Sequence, residues 1–559
     1  MKKSVKIGLI IGGTSLILGL AGLFWYLGMS NNTKLIAKIP KDAAMVFKAD
    51  VKSLADKSEF KQWKDLAMFD EMGKDGEMFN EVLDHPKKSG VNFLQNAYGF
   101  VGKGEDQFGG IVFGINDAKD FEETVTKIDD GVEIQKTDGL YTAELDKGDV
   151  ALVWDKNVAL LYFRNADDVM EKAKQAFAQD KDMSMLENDT YMEYESLDAD
   201  LGLYMNAKNF QELVGSLGNT PQGQLMAMDK VEGIGMTVLF EDKQMLVDAT
   251  YYPVEGATPE EISMMKEEGV SADLMKLISP TQPKGFYAAN MNLDKFLGLY
   301  PQLNEEMMKD GFSIDEFKNG LTGEMSFSLI DIKNVQTIGE VADYDSWDPA
   351  LYDYDAEMPM KKDTMNELTP IYKINLGVKD RGMIDNLIAK FISKMNEPSL
   401  ELSDLERIDE FKFDTYESPE IFAQEPKAKR YQYNNLEVLE TEGVKLFFKY
   451  EGNYLSISND ESAFASQNFT WEDELEEMLT EKSGSGYMDM NYKNYPDIER
   501  ENKNTVDEMK SFLEMLDNMK LSSDGMTMHF EMNFTESPDH ILWRMMKTID
   551  AKVSEKKRS

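Results

Sequence analysis

The chain has no cysteine. That absence excludes disulfides, thiolate nucleophiles, cysteine metal sites and lipidation at an N-terminal cysteine. Histidine is nearly as scarce, with His85, His529 and His540 the only three, and no H-E-x-x-H or other paired spacing sets two imidazoles on one helix face for zinc. Phosphate-loop, dinucleotide and nucleophile-elbow glycine patterns are missing too, and Gly102-Lys103-Gly104 reads as a hairpin turn. Positive charge is in short supply: 60 Lys and Arg against 103 Asp and Glu leave a net charge of −43. Such a surface repels phosphate backbones, so nucleic acid is not an expected partner. No cofactor is expected, and the sequence leaves open whether a metal binds.

Charge of either sign is absent between Lys6 and Lys34, and Ile7 to Leu27 is apolar or small throughout. At about 1.5 Å of rise per residue that stretch covers roughly 31 Å, enough for one bilayer span and longer than the apolar region of a cleavable signal. Phe24, Trp25 and Tyr26 suit the far interface, and Lys2, Lys3 and Lys6 hold the N-terminus in the cytoplasm. The expectation is a signal-anchor in the bacterial cytoplasmic (inner) membrane, residues 1–34, with everything after it extracytoplasmic. A cleaved signal is the alternative, and it exports the remainder as well. Gly8, Gly12, Ser15 and Gly19 form small-xxx-small pairs that predict weak self-association of the anchor.

With 559 residues and 42% hydrophobic content, the exported part is long enough for two or more packed domains. Self-similarity divides it. Gly235 to Glu241 matches Gly525 to Glu531, the hairpins Val150–Trp154/Val158–Phe163 match Val444–Phe448/Tyr454–Ile457, and Ile111–Ile115 with its following helix matches Ile374–Val378. A strand ending in Asn or Asp and entering a helix occurs four times, at Asp50, Asn206, Asn292 and Asn491. Helix capping is the natural role of these four side chains. The reading is an α+β fold of two homologous halves, each an antiparallel sheet with packed helices: 35–253 and 280–536, joined by a helical linker, 254–279, and followed by a C-terminal helix and basic tail, 537–559. Within the linker, Thr258-Pro259-Glu260-Glu261 predicts a capping box.

The opening Ile39-Pro40-Lys41-Asp42-Ala43-Ala44-Met45-Val46-Phe47, with the step from Asp50 to Leu54 and the repeated hairpins, resembles large bacterial cell-envelope proteins catalogued only as domains of unknown function. The resemblance implies localisation and fold, and it carries no catalytic residues across.

One difference between the halves stands out. Where the first half has the short turn 102–107, the second inserts an acidic and aromatic excursion at 331–370. Asp343, Tyr344, Asp345, Trp347, Asp348, Tyr352, Asp353, Tyr354, Asp355 and Glu357 crowd its middle without a basic residue among them. Long loops of this kind are functional or disordered. The residues read as a partner-docking loop, a solvated loop or a Ca²⁺ site, in each case without an EF-hand spacing. Ser58-Glu59-Phe60-Lys61 satisfies S-x-x-K but lacks companion motifs. The leading expectation is a non-enzymatic protein-binding or scaffold module that holds an envelope protein partner. Alternatives are an anchored periplasmic chaperone or assembly factor and, third, an envelope hydrolase using Ser58 or paired carboxylates.

Overall fold

The computed structural model of the chain describes residues 32–66, 86–102, 108–128, 131–145, 149–164, 168–216, 228–298, 311–342, 360–396, 428–441, 444–495 and 512–556. Two compact units divide it: Met1–Ser263 together with Asp507–Ser559, and Met264–Val506. The predicted anchor lies outside the described residues, and among those described no helix is long and apolar enough to cross a membrane.

Among the described residues, ten strands of the first unit precede residue 254: β1 Ala43–Ala49, β2 Ala97–Gly102, β3 Phe108–Gly114, β4 Gln135–Thr137, β5 Leu140–Leu145, β6 Val150–Trp154, β7 Val158–Arg164, β8 Leu201–Asn206, β9 Val231–Phe240 and β10 Gln244–Pro253. The second unit holds β11 Gly285–Asn290, β12 Leu321–Ala342, β13 Met360–Val378, β14 Ala428–Tyr433, β15 Leu436–Thr441, β16 Val444–Glu451, β17 Tyr454–Ser458 and β18 Gly484–Asp489. The chain then returns to the first unit with β19 Leu516–Ser523 and β20 Thr527–Phe534. Among the described residues all pairings within the two units are antiparallel. The first unit runs β4-β5-β6-β7-β3-β2-β1-β8-β9-β10-β20-β19. The second runs β14-β15-β16-β17-β13-β12-β11-β18. Strands β1–β8 and β11–β18 therefore follow one succession, and the α+β class is that of both units. Even the outermost hairpins turn alike. Asp138-Gly139 and Asn434-Asn435 both carry positive φ at two successive residues, as a two-residue connection matching strand twist requires.

The repeated Asn and Asp residues are caps. Asp50 accepts from the Ser53 amide at 2.9 Å, Asn206 from Asn209 at 3.0 Å, Asn292 from Lys295 at 3.3 Å and Asn491 from Lys493 at 3.2 Å. Thr258 and Glu261 form the expected capping box, although the linker around it holds only the four-residue helices Pro259–Ile262 and Ala272–Met275.

One match in the sequence is out of place. Gly235 to Phe240 lies in β9, the first strand of its hairpin, whereas Gly525 is the turn before β20, the second strand. The two glycines have different causes: Gly525 has φ +94°, while a Cβ on Gly235 would collide with the Tyr194 ring. Strand order pairs β9 with β19 and β10 with β20 as counterparts. With the turns superposed, Val247 and Phe530 are counterparts, and they face each other directly where β10 meets β20.

Residues 331–342 and 360–370 of the excursion form strands rather than loop. Strands β12 and β13 stay in register from Asp331↔Ile371 to Ala342↔Met360, beyond the last residues of β12 and β13 that pair with β11 and β17, Leu329 and Lys373. At about 3.3 Å per residue, this two-stranded ribbon continues for roughly 40 Å.

The C-terminal helix Ile541–Lys556 packs Trp543 against Ala55, Phe60, Trp63 and Leu66 of the first unit. Ser58 lies in the same place, fully buried, its hydroxyl 3.4 Å from the Ala55 carbonyl and its own carbonyl accepting from the Trp63 indole. A nucleophile needs access to substrate, so the S-x-x-K match is a helix end under a tryptophan. His529 is half-exposed on β20 and pairs with Asp248 of β10 at 2.7 Å.

Candidate functional site

All ten acidic and aromatic residues singled out in the sequence, Asp343 to Glu357, lie outside the described residues, in the connection that closes the β12–β13 ribbon. Among the described residues no group of three or more His, Asp or Glu is placed to hold a metal ion.

The described residues form a different site, in the second unit. A cleft of about 630 Å³ opens between the segment Ser271–Leu277 and the ends of β12, β13, β16 and β17. Its polar wall includes Ser271, Asp273, Lys276, Glu324, Glu451 and Tyr454, with Thr322 and Asn453 at the rim. The Ser271 amide donates to Glu324 Oε1 at 2.7 Å, the Tyr454 hydroxyl donates to Glu324 Oε2, and the Ser271 and Tyr454 hydroxyls meet at 2.6 Å. Burial and the adjacent Glu324 push the Tyr454 phenol well above its usual range. Tyr454 therefore stays a neutral donor at any physiological pH.

Behind this wall the sheet carries polar side chains where a core is expected. Ser326, Ser328, Asn375, Ser456 and Ser458 are completely buried. Asn375 donates to the Leu277 carbonyl at 3.0 Å and to Ser326 Oγ at 2.9 Å, and its own carbonyl accepts from Ser456 at 2.6 Å. Ser328 donates to the Ile278 carbonyl at 2.5 Å. Lys373, only 3% exposed, reaches Glu451 at 3.3 Å, and Lys449 reaches the other oxygen of Glu451 at 3.0 Å. Burial lowers the Lys373 ammonium against the pull of Glu451. At Glu451 burial works upward, but Lys373, Lys449 and Ser456 together hold the carboxyl below the usual range. The result is a connected hydrogen-bond network running from the cleft into the sheet, with its buried groups satisfied as burial demands.

None of these residues was singled out in the sequence. Ser326-Phe327-Ser328-Leu329 alternates in a way that reads as serines outward and apolar residues inward. The structure has the reverse, with Ser326 and Ser328 at 0% and Phe327 at 46% exposure. The available signal was a contrast between repeats, since Ile111–Ile115 and Ile374–Val378 align with Val112 opposite Asn375.

Comparison with known proteins gives three solved structures, one family model and no curated relative. Three solved structures of TP0453, in crystal forms III, IV and I, are 12%, 11% and 9% identical, with TM-scores of 0.27, 0.26 and 0.25. The matches cover 40%, 39% and 42% of this chain and 81%, 79% and 82% of those chains. Likeness this loose carries no functional argument. No curated protein matches the chain. A family model described as a domain of unknown function, DUF4836, matches residues 36–347, more than half of the chain, and the protein belongs to that family.

Proposed function

We propose that this protein is a non-enzymatic binding module of the bacterial cell envelope, anchored by residues 7–27 in the cytoplasmic membrane with its N-terminus inside, and that it holds a protein partner through the β12–β13 ribbon. The observation that carries this reading is the ribbon itself. Beyond Asp331 and Ile371 neither strand has a third neighbour among the described residues. A two-stranded hairpin is marginally stable in water, and its unpaired edge N–H and C=O groups are a template for an added strand. The acids and rings of its connection, from Asp343 and Tyr344 through Trp347 to Asp355 and Glu357, favour a basic, partly apolar partner. Two homologous halves, one of which acquired the ribbon, fit the shared strand succession.

The test is extraction of the full chain from its native membrane in mild detergent, with and without residues 334–360. A basic envelope protein that is retained by the intact chain and lost with the ribbon is the expected result, and identical recovery from both sinks the reading. Topology is checked separately by a reporter fused after Ser559, which should be active only outside the cytoplasm.

A further inference from the structure

Residues directly opposite one another in antiparallel strands lie on the same face of a sheet, so the registers of β9, β10, β20 and β19 sort their side chains into two faces. One row across the four strands reads Val238, Val247, Phe530 and Leu521. The rows on either side add Met245, Met532 and Met519 toward one end and Met236, Ala249 and Met528 toward the other. None of these ten side chains is charged, in a chain of which 29% is charged. The other face of the same strands carries Thr237, Asp248, His529 and Ser522 in one row, with Glu531 and Lys520 in the next. All ten apolar side chains are at least partly exposed, Met528 by 43%. The broad neighbours of β10, β19 and β20 among the described residues are other strands. The helix Ala207–Ser216 covers the adjoining stretch of sheet, where Phe210 packs with Ile234 and Tyr251. A contiguous apolar face left open on so acidic a chain marks an interaction surface.

Dimensions and charge select the occupant. Strands about 4.8 Å apart put roughly 14 Å between β9 and β19, close to the diameter of about 10–12 Å of one α-helix. Half of the ten side chains are methionines, whose flexible thioethers follow an irregular helical surface, and Met-rich faces take amphipathic helices of differing sequence for that reason. Carboxylates stand at both ends of the face. Glu241 and Asp242 are exposed in the β9–β10 turn, and Asp524 is exposed in the β19–β20 turn at the opposite end. Among the described residues no basic side chain pairs with Glu241, while Asp242 meets only His540, at 4.0 Å, and Asp524 only His529, at 3.8 Å. Lys243, beside them, is taken by Glu536 at 2.6 Å. These acids attract a basic partner, whereas a second copy of the chain would bring another net charge of −43 to the same surface.

We propose that the apolar face of β9, β10, β20 and β19 docks one basic amphipathic helix of a partner protein, with its apolar stripe on Val247 and Phe530 and its basic residues toward Glu241, Asp242 and Asp524. The probe is a synthetic peptide of about 14 residues, roughly four helical turns, with Leu and one Trp on one face and Lys on the other. It is titrated into the full chain in zwitterionic lipid nanodiscs at near-physiological ionic strength, with empty discs as baseline. A scrambled peptide of the same composition controls for the diffuse attraction of any cation to so acidic a chain. The expected result is one saturable site for the amphipathic peptide, about tenfold or more tighter than for the scrambled one, with helix gained on binding. Peroxide footprinting locates the site without a substitution: bound peptide should slow sulfoxide formation at Met245, Met528 and Met532 and leave the exposed Met183 unchanged. Val247→Asp should weaken binding about tenfold or more, and Glu241→Gln with Asp242→Asn, in an exposed turn, about threefold. Glu531→Gln, on the other face, should leave it unchanged. Absence of a saturable site, equal affinity for the scrambled peptide, or protection that extends to Met183 overturns the proposal. Protection that rises with protein concentration in the absence of peptide also overturns it, and assigns the face to a second copy. Removal of residues 334–360 should leave peptide binding intact, so this proposal and the ribbon reading fail independently.

Discussion

In the first unit Tyr98, Val112 and Leu160 lie side by side across β2, β3 and β7 and share one apolar cluster with Leu35 and Ile39. With Gly114 of β3 set against Gly377 of β13, the register gives Ser326, Asn375 and Ser456 at the same three places in the second unit. The next row repeats the contrast: Phe100, Gly110 and Tyr162, where aromatic rings pack over a glycine, against Ser328, Lys373 and Ser458. Among the described residues each sheet also holds a lysine–glutamate contact with a buried lysine, but in different places. Lys48 meets Glu195 at 3.5 Å in the first unit, and its counterpart in the second is Ala288. One strand succession thus supports both a dry core and a wet one. Sheet geometry does not demand polarity here, and a buried polar network is usually no more stabilising than apolar packing of the same shape. The polar rows adjoin the cleft, and the dry rows adjoin a sealed core.

The sharpest way to break the comparison is to move one residue across it. Leu160→Ser puts the second unit's residue into the first unit's core, where it leaves a cavity and a hydroxyl without the Asn375-type acceptor. A loss of about 3–5 kcal/mol is expected, read as a lower urea midpoint, with hydrogen exchange rising in β3 and β7. A loss under about 1 kcal/mol would mean that the first sheet tolerates the second's polarity.

Next in size is the buried pair of the second unit. Glu451→Ala strands the Lys373 ammonium and should cost about 3 kcal/mol. Adding Lys373→Met should recover most of that loss, because an apolar side chain needs no counter-charge. If the double variant is no better than Glu451→Ala alone, packing rather than charge explains the site.

The two lysine-paired glutamates should also respond to pH with opposite signs. Burial outweighs Lys48, Tyr98 and Asn32 at Glu195 and raises its carboxyl. Its stabilising contribution is fully present below the unfolded value of about 4.3 and is lost as pH rises through the raised folded value. Glu451 is held low, so its contribution is present above about 4.3 and is lost as pH falls through the lowered folded value. Denaturant titrations across the acid range should show Glu195→Gln relieving the loss on the upper side and Glu451→Gln removing the loss on the acid side. Parallel profiles for the two variants would contradict the assignment.

Features fixed by local chemistry were legible in the sequence: the Asn and Asp caps, the capping box at Thr258, the paired hairpins and the α+β class. What escaped depends on tertiary context. A glycine needed for positive φ at a turn and a glycine needed for ring contact look identical, so Gly235 and Gly525 aligned across the wrong strands. Alternation identifies a strand but not which face is buried, so Ser326 and Ser328 read as surface. The excursion after Ile330 lacked strong periodicity, since residues 331–342 and 360–371 mix Lys, Asp, Thr and Val along a ribbon with no third strand among the described residues to require an apolar face.

The smallest expected effect tests whether the repeated cap does the same work in both sheets. Asp50 accepts from an amide three residues on and starts the seven-residue helix Val51–Lys57, whose Ala55 packs against Trp543 and its cluster. Asn491 accepts from an amide only two residues on and starts the three-residue turn Tyr492–Asn494. A cap stabilises in proportion to what it organises, so Asp50→Ala should cost about 1 kcal/mol and Asn491→Ala no more than a few tenths. Thermal melts of the two variants compare them directly. Equal losses would mean that the strand-to-helix step is a rigid inherited unit in both sheets. A several-fold difference would mean that the residue type was retained while its structural role weakened, as happened at the level of whole rows between Val112 and Asn375.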